Sequence, residues 1–354
     1  MNLKRQLLIV SLLTLLLPWA GCQFIRETET ALRAGQQQML AGTARAIAET
    51  LATNREEFPA RGISGQRAAD QLYGHPLATA PEIDGYLDDW PLGRDALRTL
   101  RGPDGLIRYV FGWRDASLYL YVEVTDAEII YADPGTIAVE RTTRFADRVT
   151  LLSSSPPYRD DAIVFAAEAP GPIVSYLRSG FGFAPEPRIR ARWQDAPGGY
   201  RVEARVPLSL LGTHLGLVVE NTAEPLRPGV RSRSFGTPSP GAFVTVSQEL
   251  TDAAAMLVQP DMRLLVTDRY GWRLAFVGTL RSGERGADSF GSTWLQRSYE
   301  ALVDAGEEAE LAEPDPTGLE TQGFVTRALG GSEAVSWSRS RDDGRAVAAA
   351  AAPI

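Results

Sequence analysis

The stretch YVFGWRDASLYLYVEVTD, Tyr109 to Asp126, constrains the fold more than any other part of the chain. Successive side chains of a strand point to opposite faces, so Leu118, Leu120, Val122 and Val124 line one side and Tyr119, Tyr121 and Glu123 the other. Asp115-Ala116-Ser117 supplies the turn before that strand. Further strands read at 148–153, 162–168, 188–194, 200–208 and 215–221. Short strands punctuated by Gly, Pro and Asp predict an antiparallel β-sandwich, and the whole chain reads as α+β, mostly β.

Within this region, Ile83-Asp84-Gly85 is followed by Leu87 and Trp90, then by Trp113-Arg114-Asp115, Leu118-Tyr119 and Val124-Thr125-Asp126. Tyr200, the run Glu203 to Pro207 and Leu210-Leu211 complete the set. In this order and spacing the residues resemble the family-9 carbohydrate-binding modules, over Leu72 to Asn221. The resemblance implies a sandwich over 72–222 that holds a sugar against aromatic rings. Pyranose C–H faces are apolar and stack on Trp or Tyr, while hydroxyls need a few fixed polar partners. Trp113, Trp193 and Tyr119 are the candidate ligand-binding residues, and for Trp113, as for Trp90, the alternative is core packing. PEIDGYLDDW, Pro81 to Trp90, reads as the first strand and turn of the module.

Other functions are disfavoured by composition. The net charge of −8, with no Lys/Arg block, argues against nucleic acid. Two histidines, His75 and His214, both in loop or edge contexts, leave little for histidine catalysis or metal binding, and no cofactor is expected. A glycosidase needs two carboxylates at a defined separation. Asp88-Asp89 and Asp160-Asp161 are sequence neighbours, which on a strand face opposite ways, so no catalytic residue is assigned.

Between Arg5 and Arg26 lie 20 uncharged residues, QLLIVSLLTLLLPWAGCQFI, long enough to cross a bilayer core as a helix. Lys4 and Arg5 precede this run (6–25), so the positive-inside rule puts the N-terminus in the cytoplasm and the residues after about 26 in the periplasm of a bacterial inner membrane. The rival reading takes Ala20-Gly21-Cys22 as a lipoprotein cleavage box with Cys22 acylated. Trp19 and the apolar Phe24-Ile25 fit the uncleaved anchor better. From 26 to 54 there is no proline, and Leu40, Ala44, Ile47 and Leu51 recur at steps of four, three and four, with Leu32 and Met39 beside them. That stripe predicts an amphipathic stalk helix, packed either on its own domain or on a second copy in a homodimer.

Pro225 to Pro240 reads as a linker. Beyond it, in 241–354, MRLLVTDRYGWRLAFVG is strand, turn, strand; Trp294, Leu295, Tyr299 and Leu302 form a helical stripe; 307–316 is an acidic loop; and 334–340 and 344–354 read as two more strands. Strand pairs flanking a helix, with a V-x-D-x-x-G turn, resemble extracytoplasmic sensor folds of the Cache/PAS kind. Leader, stalk, carbohydrate-module-like segment and this unit together resemble the N-terminal sensory region of a proteobacterial membrane histidine kinase of the dedicated sortase type. The resemblance implies an envelope-facing input domain that recognises a carbohydrate or other envelope component. Neither histidine lies in an H-E-x-x-x-P phosphoacceptor box and the kinase nucleotide-binding box is missing, so this chain is not itself an enzyme. Ile354 falls inside an apparent strand, and a fragment of a longer protein is expected. A stand-alone tethered or lipidated carbohydrate-binding protein is the alternative.

Overall fold

The computed structural model describes residues 3–53, 71–102, 105–133, 146–155, 159–180, 182–222, 233–237, 239–280, 309–311, 313–340 and 346–354; for residues 3–19, 22, 159, 233 and 309 it describes the backbone alone. A helix, α1 (Leu3–Leu51), opens the chain. The sandwich strands follow: β1 (Leu72–Pro76), β2 (Arg98–Arg101), β3 (Leu106–Arg114), β4 (Ser117–Thr125), β5 (Arg148–Ser155), β6 (Arg159–Ala166), β7 (Gly171–Ile173), β8 (Ser175–Ser179), β9 (Gly182–Pro185), β10 (Arg190–Ala196), β11 (Gly199–Pro207), β12 (His214–Asn221), β13 (Arg233–Gly236) and β14 (Gly241–Thr245). Then come α2 (Gln248–Leu257), β15 (Arg263–Thr267), β16 (Arg273–Gly278), β17 (Ala309–Glu310), α3 (Gly323–Leu329), β18 (Ala334–Arg339) and β19 (Ala346–Ala351).

The strands that the alternation predicts are present, with ends moved by at most three residues. The β3–β4 hairpin turns on Asp115, whose φ of 47° an Asp side chain tolerates. One curled sheet runs β7-β10-β11-β4-β3-β1-β14-β12-β5-β6-β8-β9, with β2 on β3 and β13 on β12. Its two halves share one core, to which β4 gives Leu118, Leu120, Val122 and Val124, β11 gives Tyr200, Val202 and Ala204, and β12 gives Leu215, Leu217 and Val219. The sheet departs from pure antiparallel pairing at β1, which runs parallel to both β3 and β14 and closes the two halves together. Strand β14, grouped by composition with the last third of the chain, is hydrogen-bonded into this sheet through β1 and β12.

A second core lies where β1 and β14 meet the rest of the chain. Ile47 and Leu51 of α1, Tyr73, Val244, Leu250 and Ala254 of α2, Val266, Trp272 and Leu274 pack together there. Trp272 is fully enclosed and stacks on Tyr73 with centroids 5.3 Å apart and an interplanar angle of 8°. Helix α2 starts because the Ser247 hydroxyl accepts the Leu250 N–H at 3.2 Å. In the β15–β16 turn, the Asp268 carboxylate accepts N–H groups from Tyr270 and Trp272, and Gly271 takes a φ of 94°. Arg273 pairs with the buried Glu320 and donates to the Asp315 carbonyl at 2.7 Å.

Helix α1 runs without a break through the expected anchor and along the expected stalk as far as Leu51, about 73 Å at 1.5 Å per residue over its 49 residues. The stripe Leu40, Ala44, Ile47 and Leu51 turns toward its own domain, where Ile47 and Leu51 are buried, while Leu32 and Met39 are 62% and 71% exposed. Among the described residues no helix is long and apolar enough to cross a membrane. The side chains of most of the apolar run 6–25, Cys22 included, lie outside the described residues, as do Trp294, Leu295, Tyr299 and Leu302.

Candidate functional site

Strand β4 departs from the half-buried pattern, because Tyr119 and Tyr121, on the face opposite the core, are 4% and 1% exposed. The segment joining β1 to β2 covers them. Leu77, Leu87, Trp90, Ala96 and Leu97 form a second, smaller apolar layer with Val110, Tyr119 and Tyr121. PEIDGYLDDW is therefore not a strand but a run of turns laid across the outer face of the sheet.

One side chain clamps it. Glu203, in the middle of β11 and fully buried, accepts the N–H groups of Asp84 and Gly85 on Oε2 at 2.9 and 2.7 Å and the indole N–H of Trp90 on Oε1 at 2.8 Å. Burial pushes its pKa up to about 7, against the pull of those three donors and with a further push from the Asp84 charge. Gly85 has a φ of 90°, and a Cβ there would stand 2.4 Å from Gln194 Cγ, so only glycine lets the backbone reach the clamp. The Asp84 carboxylate takes the Tyr86 N–H at 2.9 Å, and Asp89 takes the Glu82 N–H at 2.5 Å, which shapes the two turns.

This arrangement leaves one aromatic ring outside. Tyr86 is 44% exposed, with the Arg201 guanidinium carbon 5.7 Å from its ring centroid. Behind Arg201 stands Glu123, which binds Arg94 at 2.8 Å, receives the Tyr121 hydroxyl at 2.8 Å, and lies 3.6 Å from Arg201 and 3.8 Å from Arg108. Gln194 lies beside Arg201 in the β10–β11 register and against Gly85. An exposed ring, a guanidinium and a primary amide thus share one patch of the outer face.

The residues singled out from the sequence are placed elsewhere. Trp193 is 1% exposed and stacks on Tyr200 inside the sandwich core, with centroids 4.1 Å apart and an interplanar angle of 15°. Tyr119 lies beneath Trp90, 6.4 Å away edge-on. Neither presents a ring face to solution. Trp113 is half-buried near the end of β3, opposite Pro76 and Leu118 in register, and its indole N–H is enclosed without a partner among the described residues. The structure does not bring the three together with Tyr86. His75 is in a central strand rather than a loop; it is 7% exposed, and burial lowers its pKa to about 4, helped by the nearby Arg273 charge. His214 opens β12 with its Nδ1 at 3.0 Å from the Thr213 hydroxyl.

A second buried carboxylate pins the far end of the sandwich. Asp147 accepts the Ile130 and Thr222 N–H groups at 2.7 and 2.8 Å, and burial pushes its pKa up to about 7. Among the described residues no three His, Cys, Asp or Glu side chains converge as a metal site.

No protein-family model matches the chain, and no curated protein matches it. Solved structures do. A family-9 carbohydrate-binding module from Caldicellulosiruptor kristjanssonii in complex with cellotriose is 18% identical, with 51% of this chain and 96% of that one covered and a TM-score of 0.34. A family-9 carbohydrate-binding module from the same organism in complex with glucose is 19% identical, with 50% and 97% covered and a TM-score of 0.33. A structure described as a putative carbohydrate-binding protein from Bacteroides uniformis is 8% identical, with 49% and 98% covered and a TM-score of 0.35.

Proposed function

We propose that the chain is a non-catalytic carbohydrate-recognition unit whose binding surface is the patch of Tyr86, Arg201 and Gln194 on the outer face of the sandwich. The observation that carries this reading is the exposed Tyr86 ring, held beside a guanidinium by a loop that is itself clamped on a buried carboxylate. An apolar sugar face stacks on the ring, and Arg201 and Gln194 donate to hydroxyls, with Glu123 restraining Arg201. Calorimetric titration of the chain with cellotriose and with envelope-polysaccharide fragments tests it. Tyr86→Ala is expected to weaken binding about tenfold, the equivalent of some 1.4 kcal/mol of lost stacking. Unchanged binding by Tyr86→Ala would remove the assignment, and no saturable binding of any of these sugars would remove the reading.

In the same proposal the unit is the periplasmic input region of a membrane sensor histidine kinase, anchored in the inner membrane through residues 6–25. Its support is the shared core of Ile47, Leu51, Tyr73 and Trp272, through which a shift of β1 is felt by α1. The exposed Ile25, Leu32 and Met39, seven residues apart, are where two copies of α1 would pair. Reading the frame past the codon for Ile354 tests the kinase: a second apolar span followed by H-E-x-x-x-P is the expected result. An immediate stop favours the tethered binding protein, with Cys22 as its acylation site.

A further inference from the structure

Two strand edges face one cavity in the last third of the chain. Strand β15 pairs with β16 alone, and β19 pairs with β18 alone, so each ends its sheet among the described residues. A cavity of about 1090 Å³ is lined by every residue of β15 and every residue of β19. Among the described residues, none of β16 and none of β18 lines it. A cavity lying over the faces of these sheets would draw alternate residues from the partner strands as well. This one therefore lies along the outer edges. Helix α1 closes one side with Leu40, Ala44 and Ile47, and α3 adds Phe324 and Val325. Apart from Val347, β19 is alanine throughout, so its backbone is little screened by side chains.

We infer that this cavity is a strand-addition site, which takes an extended polypeptide segment of five or six residues from a partner protein. The length follows from the two edges, five residues in β15 and six in β19. A strand edge carries N–H and C=O groups that need partners, and among the described residues no hydrogen bond reaches the outer edge of either strand. One inserted strand would answer both edges at once and join the two-stranded and three-stranded sheets into one. The peptide's alternate side chains would face Leu40, Ala44, Ile47 and Phe324, so small or branched apolar residues are the matching chemistry there. An apolar small molecule would fill the volume but leave both edges unanswered. The site is separate from the Tyr86 patch and stands whether or not that patch binds sugar.

Fluorescence anisotropy of a labelled Thr-Val-Thr-Val-Thr-Val peptide, titrated with the full chain, tests the inference. Saturable binding is expected, and N-methylation of alternate peptide amides, which keeps the side chains and removes backbone donors, is expected to weaken it at least tenfold. Ala349→Trp, which fills the cavity from β19, and Ala44→Phe, which fills it from α1, are each expected to give a comparable loss with an unshifted thermal midpoint. Equal binding of the N-methylated peptide would overturn strand addition in favour of an apolar pocket. Absence of saturable binding up to about 1 mM would overturn it outright. The methylation comparison uses the unaltered chain, so it decides the matter even if both variants fail to fold.

Discussion

Replacing Glu203 by Gln perturbs the clamp with little change of shape. The carboxylate accepts three N–H donors in a fully buried place. Above pH 7, where the carboxyl is ionised, a glutamine keeps one oxygen and turns an NH₂ against at least one of those donors, so one or two hydrogen bonds to a charged group are lost at about 1.5–3 kcal/mol each. The expected cost is about 2–4 kcal/mol, a large share of the 5–15 kcal/mol that holds a typical domain together.

The pH dependence is more specific. A folded pKa of about 7 against an ordinary 4.5 corresponds to about 3 kcal/mol, present in full below pH 4.5 and lost as the pH rises through 7. Asp147 acts in the same sense from an ordinary 3.8 to about 7. His75 acts in the opposite sense: its pKa falls from 6.5 to about 4, so its contribution is present above 6.5 and lost as the pH falls through 4. Between pH 4.5 and 6.5 each group contributes a slope of about 1.4 kcal/mol per pH unit, two downward with rising pH and one upward. The native chain should therefore lose about 1.4 kcal/mol more per pH unit across this window than the Glu203→Gln variant. Urea unfolding followed by tryptophan fluorescence at half-unit pH steps measures both slopes. Parallel slopes for the two proteins would refute the assignment of Glu203 as a buried, titrating clamp.

Gly85→Ala should lower stability by about 1–3 kcal/mol, because it combines a φ of 90° with a 2.4 Å approach to Gln194, and the same unfolding curves measure it. His75→Gln should remove the upward limb between pH 4 and 6.5 and make the loss of stability with rising pH steeper there. Trp272→Ala, at a fully enclosed ring stacked on Tyr73, should cost about 3–5 kcal/mol and raise amide exchange at Ile47 and Leu51 of α1. Breaking the exposed Arg45–Glu333 pair by Glu333→Ala should leave the thermal midpoint unmoved, since solvent and salt screen it.

The periodicity of the chain determined the longer strands of the sandwich by itself. Inward Leu118, Leu120, Val122 and Val124 follow from alternation, a local property, and the Asp115 turn and the Asp268–Gly271 turn are equally local. The proposed site was not legible in the same way. An aromatic residue on a strand reads identically whether its face meets solvent or another layer, so Trp193 and Tyr119 stood out while both lie buried, and Tyr86, in a loop, did not. Which ring stays outside depends on the covering segment, and that segment is held by Glu203 across 113 to 119 residues of chain. The parallel insertion of β1, and with it the contact of Tyr73 with Trp272, is decided in the same non-local way. Sequence sets which side chains can share a face; only closure of the chain on itself sets which faces are covered, because burial is a property of neighbours distant in sequence.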